Sequence, residues 1–527
     1  MKNMYICWLK NLNMKKFRIA LSAALCLCLY SCEKPPLNNT DPDPDPDPVV
    51  TPEDQAAQER AETYKYVNIF ASNYMDLYYL WNKEIASGLN SWKETDDPIA
   101  KVQKIRYKDS KGKDIDRWTM VTDDYEGFFG SISGTQKTYG FDWSGVQIEG
   151  TQQVVAVVTY TYADSPAKKA GLKRGDVIVT VNGQEMTTQN FSLVYPGLIQ
   201  GDSVTVGLSD GNTKTITAKT MYEDPVLLSK VFDCGGKKVG YLVYTSFTKD
   251  SCKDLVEVCK DFKAAGVSEL ILDLRYNGGG FVITEQVLAS MLAPEAEVTA
   301  GSVLSTEVYN ADLTKYYKQS GEDTNTYFST KFNLGSNASP DWLSTEGANI
   351  GLDKLYAIVD SGTASASEAI LCDLYPYMDI TLVGNQTHGK FCSGIPLEGE
   401  EFYIDFAEEL TKQMGASFVA AGKKYAKNWG LYVMISRFAD KNGETRCMPN
   451  GLTPDVEADD IPWDGYQLGN PKETMLAEAL KLCGYKNSAP AARRSGPAVQ
   501  LGERLETAPH RPDFGFYIAT PREGRLR

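Results

Sequence analysis

The sequence predicts a multidomain α/β protein with a small helical region near the amino end, a β-rich module in the middle and an α/β core in its second half. Three observations carry this. At 527 residues the chain exceeds what one hydrophobic core ordinarily organises. Its texture shifts near residue 130 from helical periodicity to short β segments with glycine turns, and near residue 238 to alternating strands and helices. Hydrophobic residues at 42% and charged residues at 23% strike a globular balance, so most of the chain can be assigned to folded units.

Taken in order, Lys15, Lys16 and Arg18 precede an apolar run over 19–29 that ends Leu29-Tyr30-Ser31-Cys32. A basic start, a short apolar stretch and a small residue before the cut describe a secretory signal over 1–31, too short to span a bilayer. Cys32 directly after Leu-Tyr-Ser resembles a lipobox, which implies lipid attachment at Cys32 and anchoring in the cell envelope, at the outer membrane on its periplasmic or surface face. A plain signal peptide with an incidental cysteine is the alternative. Residues 32–52 hold four Asp-Pro repeats, an extended spacer of about 60 Å. Residues 53–129 read as a helical region. Tyr64, Val67, Phe70 and Ala71 share one face, continued by Tyr74, Leu77 and Leu80 to about residue 86. Trp118 and Tyr125 read as core aromatics, and the region shows no chemistry of its own.

In 130–222, a short helix ends at Gly171, a turn follows at Arg174-Gly175-Asp176, and a strand leads into the Asn182-Gly183 hairpin. The string Ser165-Pro166-Ala167-Lys168-Lys169-Ala170-Gly171-Leu172 with this turn and hairpin resembles the core of a bacterial PDZ domain. Upstream, Tyr139-Gly140-Phe141 resembles the loop with which such domains hold a peptide carboxylate on backbone N–H groups. The resemblance implies protein or peptide partners with free C termini, added to the following strand as an extra β-strand. The alternative is a PDZ fold that serves as a rigid lid.

The stretch 230–483 alternates strands (239–243, 270–274, 355–359, 380–383) with helices (249–263, 284–292, 365–375), so parallel strands with helical crossovers are expected. Within it, 297–350 is rich in Ser, Thr, Asn and Tyr and reads as an insertion with little regular structure. Residues 484–527 read as a loosely ordered tail. A net charge of -15 argues against nucleic-acid partners. No paired-carboxylate or metal-ligand cluster stands out, and no cofactor is called for. Outside the amino-terminal segment the seven cysteines form no Cys-x-x-Cys pair. Cys252 and Cys259 share a helical face with Leu255, Val256 and Phe262, as buried thiols do.

Three strings carry chemistry. Leu272-Asp273-Leu274-Arg275-Tyr276-Asn277-Gly278-Gly279-Gly280 runs a strand into glycines, where backbone N–H groups can approach a ligand. Ser361-Gly362-Thr363-Ala364-Ser365-Ala366-Ser367-Glu368 places small residues where a strand gives way to a helix, exposing a hydroxyl to the positive end of the helix dipole. Gly384-Asn385-Gln386-Thr387-His388-Gly389-Lys390 follows a buried strand. Together the three resemble the carboxy-terminal processing, or tail-specific, serine peptidases. That family implies an α/β peptidase core of crotonase-like architecture, with Ser365 as nucleophile and Lys390 as base. Backbone N–H groups of Gly279 (or its neighbour Gly278) and Ala366 would meet the oxyanion. Ser367 reads as structural. One departure stands out: relatives commonly carry a glutamine four residues after the lysine, where this chain has Gly394.

Free lysine titrates near 10.4, so Lys390 needs a dry setting to serve as a base. Phe391 and the strand 380–383 are the apolar candidates, and no acidic residue adjoins it in sequence. The rival Ser-His mechanism has two histidines to draw on, His388 beside the lysine and His510 in the tail. Two other function classes are a catalytically weak or silent PDZ-based peptide-binding lipoprotein and an acyl-group enzyme on a crotonase-like core.

The amino-terminal pattern predicts that a palmitate analogue fed to expressing cells labels the wild-type chain and misses Cys32→Ala. Labelling that survives the substitution contradicts lipidation at Cys32.

Overall fold

The computed structural model describes residues 51–336 and 338–486, and the backbone of Leu501–Arg504 and Phe516–Ile518. The segment read as a signal, Cys32, the Asp-Pro repeats and His510 lie outside the described residues.

The first helix, Pro52–Tyr78, opens on a reciprocal cap: Asp54 N–H donates to the Thr51 hydroxyl, and Thr51 N–H donates to the Asp54 carboxylate. Its second half buries Val67, Phe70, Ala71, Tyr74 and Met75, while Tyr64 is only half-buried. The helix stops at Tyr78 rather than near residue 86. Tyr79 leaves it to place its hydroxyl on buried Asp116 at 2.7 Å, and Leu80 N–H donates to the Met434 carbonyl at 2.8 Å. Tertiary contacts thus override the apolar periodicity that ran on to Leu80.

The middle module is a seven-stranded sheet. Asn182 and Gly183, both at positive φ, turn Val177–Val181 back into Gln184–Thr187. Ser165 caps the short helix Pro166–Lys169, accepting from Lys168 N–H at 3.1 Å. The strand Phe141–Ile148 pairs antiparallel with Gln153–Thr161 on one side and with Leu501–Arg504 on the other. That last pairing places regular structure in the stretch read as a loose tail.

In the second half, Val226–Cys234, Lys237–Tyr244, Val267–Asp273, Lys354–Val359, Asp379–Gly384 and Val456–Glu457 lie side by side in that order. The pairings from Lys237–Tyr244 through Asp379–Gly384 are all parallel. A second sheet contains Gly279–Phe281, Phe516–Ile518, Cys392–Glu398, Gly430–Asp440 and Val303–Tyr309. Every residue of the helix Ala366–Leu374 is buried, as expected of a helix covered on all sides.

The stretch 297–350 is not irregular. It holds the strand Val303–Tyr309, which pairs with Gly430–Asp440, and the helix Ala311–Ser320. Its tyrosines and phenylalanines explain this, since Tyr309, Tyr316, Tyr317, Phe328 and Phe332 are buried in the main core. Its polar residues act as caps: Asn310 accepts from Leu313 N–H at 2.9 Å. Among the described residues no helix is long and apolar enough to cross a membrane.

One buried ionic cluster joins the middle module to the core. Arg174, in the turn of the module, donates to Asp460 at 2.6 Å, to Glu473 at 3.3 Å and to the Tyr276 hydroxyl at 2.6 Å. Arg275, two residues past the strand Val267–Asp273, donates to Asp273 at 2.7 Å, to Glu473 at 2.8 Å and to Asp460 at 3.0 Å. Two guanidinium groups therefore share three carboxylates. The arginines hold Asp460 and Glu473 below the ordinary carboxylate range despite their burial. Glu473 also caps the helix Thr474–Leu482, accepting from Leu476 N–H at 3.0 Å. Removing one member of a buried pair strands its partner, so Glu473→Gln is predicted to cost about 3–5 kcal/mol of stability by urea unfolding. A loss under about 1 kcal/mol, the size of an exposed pair, contradicts this coupling.

Candidate active site

The strand Lys354–Val359 enters a turn pinned by Thr363, whose hydroxyl donates to the Leu274 carbonyl at 2.9 Å. At its end Ser365 stands at φ 61, ψ -114, directly before the helix Ala366–Leu374. A non-glycine residue in this region costs roughly 1–3 kcal/mol and persists where surrounding structure holds it. The turn is crowded. A Cβ on Gly279 would lie 2.8 Å from Ser365 Cβ and 2.9 Å from both the Ala364 carbonyl oxygen and the Ala366 nitrogen. Only glycine lets the glycine strand pass so close to the serine. Ser367 donates its hydroxyl to the Asn277 carbonyl at 2.9 Å, tying the two strings together.

Of the backbone donors named from sequence, Gly279 N–H is already given to Asn277 Oδ1 at 2.8 Å. Its neighbour Gly278 is exposed at this turn, and Ala366 sits at the first position of the helix.

The carboxylate of Glu368 binds the serine turn to the lysine loop. It accepts from Ser365 N–H at 3.2 Å, Gly389 N–H at 2.8 Å, Lys390 N–H at 2.7 Å and the Thr387 hydroxyl. Burial raises its carboxyl above the ordinary value, against the pull of these four donors.

Lys390 is fully buried, and its amine donates to Tyr432 Oη at 3.2 Å. The Nζ lies 5.7 Å from the centre of the Trp118 ring and 5.0 Å from that of Tyr432. Burial lowers its pKa to about 7, while Cys392, Asp116 and Glu368 pull the other way. The apolar wall is thus partly as expected. Phe391 is present, edge-on to Trp118 at 5.9 Å, but Trp118 and Tyr432 come from distant segments. The strand Asp379–Gly384 pairs within the parallel sheet, and its Leu382 lies in the same core as Phe391, Trp118 and Tyr432. Acidic groups absent beside Lys390 in sequence are supplied in space by Asp116 and Glu368, and the helical region read as chemically silent provides Asp116 and Trp118. Ser365 Oγ is buried and makes no hydrogen bond among the described residues.

His388 is held as a loop residue. Its N–H donates to the Thr363 carbonyl at 3.0 Å and its own carbonyl accepts from Arg117 at 2.9 Å. Its Nε2 accepts from Trp118 Nε1 at 3.4 Å. Burial, with the charges of Arg117 and Lys390, pushes its pKa down to about 4, so the imidazole is neutral at physiological pH.

In the middle module, Tyr139 is buried with its hydroxyl on the Gln200 carbonyl at 3.0 Å. Gly140 N–H donates to Thr138 Oγ1 at 2.9 Å, and half-buried Phe141 begins the strand Phe141–Ile148. Among the described residues no group of three or more His, Cys, Asp or Glu side chains could hold a metal ion, and seven cysteines are buried free thiols. Glu368 was visible in the Ser-Glu pair of its string. Asp116, Trp118 and Tyr432 carried no local signal, because only the tertiary fold brings them to the lysine.

Residues 238–401 match peptidase family S41, and residues 157–206 match the PDZ domain. The chain is 26% identical over 262 residues to the carboxy-terminal processing protease CtpA of Bacillus subtilis (strain 168), covering 47% of each chain. It is 29% identical over 316 residues to the chloroplastic carboxyl-terminal-processing peptidase 1 of Arabidopsis thaliana, covering 56% of this chain and 57% of that one. The chain thus spans about half the length of the curated relatives it matches. A crystal structure from Bacteroides fragilis NCTC 9343, assigned to the S41 proteases, has the same fold. Its TM-score is 0.58 at 22% identity, over 78% of this chain and 96% of that one.

Proposed function

We propose that this chain, which carries an S41 peptidase domain and a PDZ domain, is a serine endopeptidase of the carboxy-terminal processing type, with Ser365 as nucleophile and Lys390 as base. One observation carries the reading most directly. A fully buried lysine, brought to a pKa of about 7, is tied through the Glu368 carboxylate to the backbone of a strained, buried serine.

A serine hydroxyl is a poor nucleophile until a base takes its proton, and only a neutral amine can take it. With a pKa of about 7, a large share of Lys390 is neutral at physiological pH, and that share rises with pH. As Ser365 Oγ forms its bond to the substrate carbonyl carbon, its proton passes to Lys390 Nζ. The carbonyl oxygen takes up the electron pair and is met by the N–H groups of Ala366 and Gly278. Gly279, its N–H engaged by Asn277, provides the close approach. Lys390 then returns the proton to the departing amine, and water releases the acyl group by the same route. His388, neutral and pinned by Trp118 and Arg117, stays outside this transfer.

Substrates are proteins or peptides with free C termini, captured by the PDZ domain around Tyr139-Gly140-Phe141. On this reading the peptide pairs with the strand Phe141–Ile148 on the edge that Leu501–Arg504 occupies in this structure, and displaces that segment. Its location on this reading is the cell envelope, on exported or unfolded proteins, supported by the signal-like start, the lipobox-like Cys32 and the Asp-Pro spacer. A second reading, a weakly active or silent peptide-binding lipoprotein, is favoured by Ser365 Oγ having no hydrogen bond among the described residues and by Gly394 where the resembled family commonly carries glutamine.

The test uses protein lacking the signal, with unfolded casein and a serine-reactive fluorophosphonate. Ser365→Ala should lose both labelling and hydrolysis. Lys390→Arg should fail as badly as Lys390→Ala, since guanidinium stays protonated, and His388→Ala should keep most activity. Peptides with a free carboxylate should be cleaved in preference to amidated ones. Full activity in Lys390→Arg, or loss confined to His388→Ala, overturns the Ser-Lys assignment. Equal cleavage of the two peptide forms makes the PDZ domain a lid.

A further inference from the structure

We propose that Tyr432 is the positioning residue for Lys390, its phenol oxygen holding the lysine amine from the neighbouring strand in space that a side chain at position 394 would otherwise fill. The inference rests on the reading of Lys390 as the base.

The contact is a hydrogen bond of 3.2 Å from Lys390 Nζ to Tyr432 Oη, between side chains that are 0% and 1% exposed. Lysine has a long, flexible stem, and burial alone does not aim its amine. A tyrosine ring has two side-chain torsions and loses little entropy when fixed. This ring is fixed by the Phe128 ring at 5.6 Å.

The strands explain why tyrosine fits here. Cys392–Glu398 and Gly430–Asp440 run antiparallel, pairing Gly394 with Met434 and Pro396 with Tyr432. Residues two apart share a face, so position 394 looks onto Tyr432 and Met434. A Cβ on Gly394 would lie 2.5 Å from Tyr432 Cζ, 2.7 Å from its Cε2 and 2.4 Å from Met434 Cε. A side chain at 394 and the ring at 432 exclude one another. This chain leaves the first position empty and fills the second.

The chemistry is equivalent. A neutral amine has two N–H donors and one lone pair. Donating one N–H to an oxygen acceptor, phenol or amide, fixes the amine and leaves its lone pair for the Ser365 proton. The same acceptor favours the protonated amine, so it also sets the pH at which the base becomes available.

Tyr432→Phe keeps the ring and removes only the oxygen. It should lower kcat about 10- to 100-fold, the scale of a misplaced reacting group, with KM within about twofold. Its rise in kcat/KM with pH should begin at lower pH than in the parent chain, a displacement that partial unfolding does not produce. Gly394→Gln combined with Tyr432→Ala should recover activity over Tyr432→Ala alone. NMR titration of isotopically labelled lysine, with Lys390 assigned by its absence from Lys390→Arg, reads the contact without turnover: the midpoint should fall in Tyr432→Phe. An unchanged midpoint and an unchanged plateau rate in Tyr432→Phe overturn the proposal. A fallen midpoint in protein whose parent chain hydrolyses nothing upholds the contact and overturns the peptidase reading instead.

Discussion

The Glu368 carboxylate is the contact on which the site depends. Ser365 ends a turn after one strand of the parallel sheet and Lys390 ends a loop after the next, so neither position fixes the other. Glu368 reaches back from the first turn of the buried helix to the Ser365 N–H and across to the Gly389 and Lys390 N–H groups. Three backbone donors and the Thr387 hydroxyl converge on two oxygens in the interior, where an unpaired donor costs about 1–3 kcal/mol. This arrangement offsets the backbone strain at Ser365 and leaves the lysine side chain to be aimed by what surrounds it.

A second buried network stabilises the other wall. Arg275 lies two residues before Asn277, and the same carboxylates that hold it also hold Arg174 of the PDZ turn. Arg174 of the PDZ turn and the Tyr276 hydroxyl both donate to Asp460, and Tyr276 is joined through the chain to Asn277, whose Oδ1 accepts from Gly279 N–H. Asn277 completes the connection. Its amide donates to the Tyr244 carbonyl, its Oδ1 accepts from Gly279 N–H, and its own carbonyl accepts from the Ser367 hydroxyl.

Much of this was legible in the sequence because local rules decided it. The Asn182-Gly183 hairpin, the short helix before Gly171, the strand-helix alternation and the small residues around Ser365 each have a short-range cause. What stayed illegible has long-range causes. Tyr78 ends its helix early because Tyr79 is drawn to Asp116. The polar stretch 297–350 is ordered by aromatic residues whose burial appears only once the second sheet exists. Trp118 and Tyr432 look like ordinary core aromatics until the fold sets both against Lys390, and Gly394 looks like a missing residue until Tyr432 is found in its space. The dry setting of the lysine could be required from its chemistry, but the residues that create it could not be named in advance.

The site holds two candidate bases of very different strength, and they separate along the pH axis. Burial brings Lys390 to about 7 and His388 to about 4. Each acts as a base only when deprotonated, so each predicts a reactivity that rises with pH through its own value. The deciding measurement is the rate of Ser365 modification by a fluorophosphonate as pH is raised from 4 upward, in protein lacking the amino-terminal apolar segment. A rate that climbs with a midpoint near 7 and is abolished in Lys390→Arg is the result expected here. A rate already level above about pH 5, or a climb that persists in Lys390→Arg, contradicts a buried neutral lysine as the base.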